Sequence, residues 1–137
     1  MAHDLASFFE RYAERYMAGD APAVADLCRV PFLAVRNGAP IHLGDREALL
    51  DHFAGLMAAY RNAGAAAADV VALDVLEQGD SAALATVRWV VRSADGAVVR
   101  DFRTSYQLLG PDPWTIHAYV NHDTVRPVEP APSGAEG

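Results

Sequence analysis

The feature that most constrains the fold is a change of hydrophobic period about halfway along the chain. Between residues 4 and 64, large apolar residues recur every three or four positions, the spacing of amphipathic helices. From Asp69 to His122 they tend to alternate with other residues, the spacing of strands with one buried face. Helices followed by strands predict an α+β fold, in which three N-terminal helices cover one face of a strongly curved antiparallel sheet.

Capping and turn residues divide these two halves into elements. Asp4, Asp20 and Asp45 each precede an apolar helical stripe and can cap its first turn. Gly19 and Gly64 are suited to end the first and third helices. Strands are predicted over residues 32–36, 41–43, 70–77, 82–92, 97–109 and 114–122, with turns at Asn37-Gly38, Gly79-Asp80, Asp95-Gly96 and 111–113.

Composition excludes several classes of function. A chain of 137 residues is one domain, and its formal net charge of −7 argues against nucleic-acid and anionic-membrane partners. The absence of Lys excludes Schiff-base chemistry and a P-loop, and the single Cys28 excludes an internal disulfide. With no secretory leader and no long apolar span, we expect a cytoplasmic protein. Residues 1–123 are predicted to form the domain, and 124–137 a flexible Pro- and Gly-containing tail.

Four short segments resemble one family in their order and spacing: residues 10–20 ending in Ala18-Gly19-Asp20, then 44–49, 79–83 and 114–117. Across roughly residues 5 to 123 the chain resembles the nuclear transport factor 2-like superfamily, in its SnoaL-like and ketosteroid-isomerase-like branch. The resemblance implies a cone-shaped domain, usually dimeric, with a pocket between the helices and the concave sheet face. Members are cofactor-independent isomerases, cyclases, dehydratases or epoxide hydrolases, or else binding and assembly modules.

The resemblance also suggests roles for single residues. Tyr12 lies eight residues before Asp20, where ketosteroid isomerases place the tyrosine that donates to an enolate oxygen. An alternative is that Tyr12 is only part of the helix's apolar stripe. Arg36 stands near the place of their general-base aspartate, and Thr104 near their second carboxylic acid. Because both acids are missing, the resemblance does not extend to ketosteroid isomerisation.

The strand over 82–92 has two faces whose orientation the sequence leaves open. The resemblance places the face bearing Arg88 towards the pocket and the apolar face bearing Trp89 outside, where a partner would cover it. A guanidinium inside the cone needs a carboxylate, carbonyls or an anionic ligand. The alternative reverses the faces, so that Trp89 is buried and Arg88 is exposed.

The last two strands contribute further candidates. Thr104 and Tyr106 are expected to face the pocket with Phe102 and Leu108. On the last strand, simple alternation turns Ile116, Ala118, Val120 and His122 inward. His122 is then the candidate acid or base, since imidazole titrates near neutral pH. The alternative is a solvated histidine at a strand end.

Together these considerations predict a small-molecule pocket. Its catalytic residues would be His122, Tyr12 and Arg88, with His122 moving a proton and the other two stabilising an oxyanion. Its ligand-binding residues would be Tyr16, Arg36, Phe53, Thr104, Tyr106, Ile116 and Ala118. The expected ligand is a small apolar or carbonyl-bearing molecule, isomerised or cyclised without cofactor or metal. A homodimer is expected through the outer sheet face, at Val87, Trp89, His117 and Tyr119. The alternative function is a non-catalytic binding or assembly module.

Overall fold

The computed structural model describes residues 4–122. The predicted tail at 124–137 lies outside the described residues. The elements in chain order are α1 (Asp4–Met17), α2 (Ala21–Ala25), β1 (Cys28–Arg36), β2 (Ala39–Leu43), α3 (Arg46–Asn62), β3 (Ala65–Gln78), β4 (Ala82–Ser93), β5 (Val98–Leu109) and β6 (Thr115–His122).

The helices begin where capping carboxylates stand. Asp20 accepts a hydrogen bond from the Ala23 amide at 3.1 Å, and Asp45 accepts one from the Ala48 amide at 2.9 Å. The stripe of α1 that packs into the core consists of Leu5, Phe8, Phe9, Tyr12 and Ala13. The helical spacing in the sequence therefore correctly predicted which side of α1 faces the sheet. None of the three described helices is long and apolar enough to cross a lipid bilayer.

The six strands form one mixed sheet in the order β2-β1-β6-β5-β4-β3. Neighbouring strands are antiparallel except β1 and β6, which run parallel, with Ala34 opposite Tyr119. The parallel pairing joins the N-terminal hairpin to the C-terminal strands in a single surface. The predicted α+β class, with three helices on a curved sheet, is confirmed.

Two strands begin four or more residues earlier than their local sequence predicts. Strand β1 starts at Cys28 rather than at Phe32, and β3 starts at Ala65 rather than at Val70. The early part of β3 is a run of alanines, which have little intrinsic preference for strands. Here Ala65 pairs with Ser93 and Ala68 with Val91, so ladder hydrogen bonds with β4 decide the conformation.

Candidate functional site

A cavity lies between the helices and the concave face of the sheet. Its volume is about 530 Å³ when the open mouth is counted. The narrower interior has about 50 Å³, which is room for a few water molecules. The lining residues are Tyr12, Ala13, Tyr16, Met17, Arg36, Phe53, Leu56, Tyr60, Ala68, Trp89, Val91, Phe102, Thr104, Tyr106, Tyr119 and Asn121. None of these described lining residues is acidic.

The wall of the cavity is mainly aromatic. The ring centroids of Tyr12 and Trp89 are 6.0 Å apart, and those of Tyr12 and Tyr16 are 5.7 Å apart. The Trp89 indole N–H donates to the Tyr106 hydroxyl at 2.9 Å, which ties β4 to β5 across the inner face. Such rings offer flat apolar contact with a few hydroxyl groups for orientation, the usual make-up of a small-molecule site.

One end of the cavity is polar, and we call Arg36, Tyr119 and Asn121 the donor cluster. Arg36 is the last residue of β1, and the other two come from β6, the next strand in the sheet. The Thr104 hydroxyl donates to the Asn121 side-chain oxygen at 2.8 Å. Behind the wall, His52 Nε2 on α3 lies 2.7 Å from the Tyr119 hydroxyl. The donor cluster therefore places the charged side chain of Arg36 beside a phenol and an amide.

Burial keeps the phenols of the pocket neutral. It raises the pKa of Tyr12, Tyr16 and Tyr106, because a phenolate would lose its hydration there. Burial also raises the pKa of Tyr119, while the neighbouring Arg36 guanidinium opposes the rise. The pKa of His52 is lowered by burial and by the Arg36 charge, so His52 is uncharged at neutral pH.

Comparison with known proteins decides the family. Residues 3–124 match the family described as NTF2-like protein, DUF6841. The chain belongs to this family. The predicted membership of the nuclear transport factor 2-like superfamily is therefore confirmed. No curated protein is significantly similar to this NTF2-like chain in sequence.

Solved structures show the same fold at low sequence identity. The chain is similar to an NTF2-like protein with a cystatin-like fold from Novosphingobium aromaticivorans, with a TM-score of 0.70 and 21% identity over 88% of this chain and 79% of that one. It is also similar to an NTF-2 like protein of unknown function from Shewanella oneidensis, with a TM-score of 0.69 and 14% identity over 89% of this chain and 98% of that one. Aln2 from a Streptomyces species is similar with a TM-score of 0.68 and 19% identity, over 87% of this chain and 87% of that one. These likenesses establish the fold alone.

In this NTF2-like domain, six of the residues expected at the site line the cavity. Their spacing on α1, β1, α3 and β5 places them on inward faces. They are Tyr12, Tyr16, Arg36, Phe53, Thr104 and Tyr106. The structure therefore brings these six side chains together around one cavity.

The expectation that Arg88 points into the pocket is wrong. Arg88 lies on the outer sheet face, where its side chain is 42% exposed and pairs with Asp101 at 2.7 Å. Trp89, the next residue, is 4% exposed and lines the cavity. The alternative orientation, in which Trp89 is buried, is the one observed. The face of β4 that bears Trp89 carries five apolar residues in alternation. Burying this face removes more apolar surface from water than burying the face that bears Arg88.

The expectation that His122, Ala118 and Ile116 all face the pocket is also wrong. Leu108 pairs with Ile116 but Gln107 pairs with Ala118, so His117 is an extra residue in β6. Such a bulge reverses the alternation that follows it. Tyr119 and Asn121 turn inward, whereas Ala118 turns outward. Ile116 stays in the core without lining the cavity.

His122 therefore lies on the outer face with the side chains of neighbouring strands. Its Nε2 is 2.9 Å from the Ser105 hydroxyl, which in turn is 2.8 Å from the Thr86 hydroxyl. Because the sheet separates this histidine from the cavity, it cannot exchange a proton with a ligand there.

The prediction that Val87, Trp89 and Tyr119 lie at an interface on the outer sheet face is also wrong. Val87, Trp89 and Tyr119 are buried on the inner face, so they are not available to a partner on the outer face. His117 occupies the bulge and is half-buried, with a buried Nε2 that has no hydrogen-bond partner among the described residues. An interface on the outer face would have to use other side chains.

Sequence reasoning missed two polar groups of the site. The sequence offers no evident partner for His52, because the residue that it contacts, Tyr119, is 67 residues away. Simple alternation along β6 would turn Asn121 outward, whereas the bulge turns it into the cavity. A signal for His52 did exist: it lies on α3 beside Phe53, close to the face of the helix that packs into the core. Within residues 4–122, no group of three His, Cys, Asp or Glu could hold a metal ion.

Proposed function

We propose that the protein binds a small, flat, largely apolar molecule bearing a carbonyl or related oxygen. The observation that carries this proposal is a cavity walled by aromatic rings and neutral phenols, with its polar donors at one end. Rings stack on a flat ligand, while the donors orient a single oxygen-bearing group. The superfamily resemblance supports the same kind of ligand.

A catalytic version of this function has a specific observation in its favour. His52 and the Tyr119 hydroxyl are 2.7 Å apart, and Tyr119 lines the cavity. A neutral imidazole can accept the phenol's proton while the phenol oxygen accepts a proton from a carbon next to a ligand carbonyl. The products of that step are an imidazolium and an enolate, and reversing it at another carbon isomerises the ligand. His52 and Tyr119 would then replace His122 in the acid-base role.

The experiment uses 1-tetralone, an aromatic ketone, as the probe. Binding is followed by isothermal titration calorimetry, and α-proton exchange in D₂O is followed by NMR. Leu56→Trp puts a large side chain into the cavity lining and should weaken binding about tenfold or more, because displaced ring contacts are not replaced. Ala58→Trp on the exposed side of α3 is the matched control and should bind like the parent protein.

Circular dichroism checks that both variants are folded. Equal binding by Leu56→Trp and the parent protein, or no saturable binding by the parent, would contradict the binding proposal. Binding without enhanced exchange would favour the non-catalytic module over the isomerase.

We further propose that the outer sheet face joins two copies of the chain. Leu33 lies opposite Ala118 and Val35 lies opposite Val120, which makes an apolar patch across β1 and β6. Leu33 is 40% exposed and Val120 is 41% exposed, and such a patch on a small domain is typical of a contact surface. Light scattering should give a dimer for the parent protein and a monomer for Val120→Asp, and a parent monomer would refute the proposal.

A further inference from the structure

The donor cluster has an unusual balance of hydrogen-bonding groups. Arg36 lines the cavity, and no carboxylate within residues 4–122 forms an ion pair with it. Three other arginines in the described part of the chain, at positions 46, 88 and 92, each pair with an aspartate. A partly buried guanidinium without a counter-ion is costly, since burial removes water that nothing replaces.

Among the neighbours of Arg36, the Tyr119 oxygen accepts a hydrogen bond from the guanidinium, but none that lines the cavity within residues 4–122 supplies a negative charge. Asn121 uses its side-chain oxygen to accept the Thr104 hydroxyl, which leaves its NH₂ group as a donor. Tyr119 is neutral, because burial raises the pKa of its phenol. The cluster therefore presents a guanidinium, an amide NH₂ and a phenol.

The charge around the cluster points the same way. The Arg36 charge contributes to the lowered pKa of His52 and opposes the rise in the pKa of Tyr16 and Tyr119, so its positive charge acts on all three side chains. No acidic residue lines the cavity within residues 4–122. This is notable in a chain with 18 acidic and 11 basic residues, because its general surface is negative.

From this arrangement, and building on the proposed function, we infer that the ligand carries an anionic planar group, a carboxylate, which binds at Arg36, Tyr119 and Asn121. Two carboxylate oxygens match the fork of a guanidinium, and further donors can reach the remaining lone pairs. The aromatic wall holds the ring system, so the ligand class is an aromatic or polycyclic carboxylic acid.

The test compares two probes of the same shape, 2-naphthoate and 2-naphthamide. Both offer the same ring to the cavity wall, but only naphthoate is charged at neutral pH. We expect the parent protein to bind naphthoate more tightly than naphthamide by about tenfold or more, the range for hydrogen bonds to charged groups. Arg36→Met should remove that preference by weakening naphthoate binding while leaving naphthamide binding unchanged.

The matched control is Arg29→Met, on the same strand but exposed and outside the cavity. Arg29→Met changes the net charge of the chain as much as Arg36→Met does, but it leaves the cavity unaltered. If the carboxylate contacts Arg36 directly, Arg29→Met should still bind naphthoate more tightly than naphthamide. Asn121→Asp, which puts a carboxylate beside Arg36, should weaken naphthoate binding as Arg36→Met does.

The two proposals fail in different ways. If naphthamide binds in the cavity but naphthoate binds no better, the carboxylate inference is overturned and the binding function stands. The inference is also overturned if Arg36→Met keeps the preference, or if Arg29→Met loses it equally. If neither probe binds, the proposed function is refuted and the inference with it.

Discussion

Neighbouring residues of β4 and β5 lie in very different environments, depending on which face of the sheet their side chains occupy. On the inner face, Trp89 and Tyr106 are buried and joined by a hydrogen bond. On the outer face, one residue along, Arg88 pairs with Asp101 in water-accessible surroundings. Inner residues therefore hold the fold together and shape the cavity, while outer ones remain free for surface contacts. Residues one position apart should respond to mutation in quite different ways.

The largest expected effect appears at high pH, because three tyrosines, Tyr12, Tyr16 and Tyr106, are largely buried around the cavity. Burial raises the pKa of Tyr12, Tyr16 and Tyr106 above the ordinary value of 10.0. Below that pH both folded and unfolded chains are protonated at these phenols. Above it the unfolded chain releases protons that the folded chain keeps, so the free energy of unfolding falls as pH rises.

We expect the phenolate absorbance to rise together with the loss of helical circular dichroism, at a pH above 10.0. The same titration in denaturant is the control, where the phenols should ionise with an ordinary pKa. Ionisation of these phenols near 10.0 in a protein that stays folded would show that the inner face is open to water.

The next prediction compares Trp89→Ala with Arg88→Ala. Removing the buried indole leaves a cavity and should lower the free energy of unfolding by about 3–5 kcal/mol. Removing the exposed guanidinium should change it little, since surface ion pairs contribute weakly. Chemical denaturation measures both variants. A greater loss for Arg88→Ala would reverse the assignment of the faces.

The smallest effect is expected for one threonine on each face. Thr104→Val leaves the Asn121 oxygen without its donor in a buried place and should cost roughly 1–3 kcal/mol of stability. Thr86→Val makes the same chemical change on the outer face, where water can replace the lost bond to Ser105, and should stay within about 0.5 kcal/mol. Similar losses in both variants would mean that the outer face is as dry as the inner one.

Much of the fold could be predicted from local patterns. The caps at Asp20 and Asp45 and the apolar stripe of α1 follow from short-range spacing, and each is observed. The shared face of Phe102, Thr104 and Tyr106 on β5 also follows from alternation within a single strand, and all three line the cavity. In these cases the information lies within a few residues, where turn and strand geometry repeat regularly.

The rest depended on contacts between distant parts of the chain. Which face of β4 is buried depends on the helices that cover it, because alternation is symmetric and does not name the inner side. The bulge at His117 exists only in the pairing of β6 with β5, yet it decides that Asn121 rather than His122 reaches the cavity.

The order of elements, the helix caps and the alternation of strands were already present in the 137 residues, because each depends on backbone geometry over one or two turns or a few residues. The orientation of the sheet faces, the parallel junction of β1 with β6 and the donor cluster were decided only in the folded molecule. Their cause is packing between residues far apart in the chain, such as His52 against Tyr119, whose energies no local window contains.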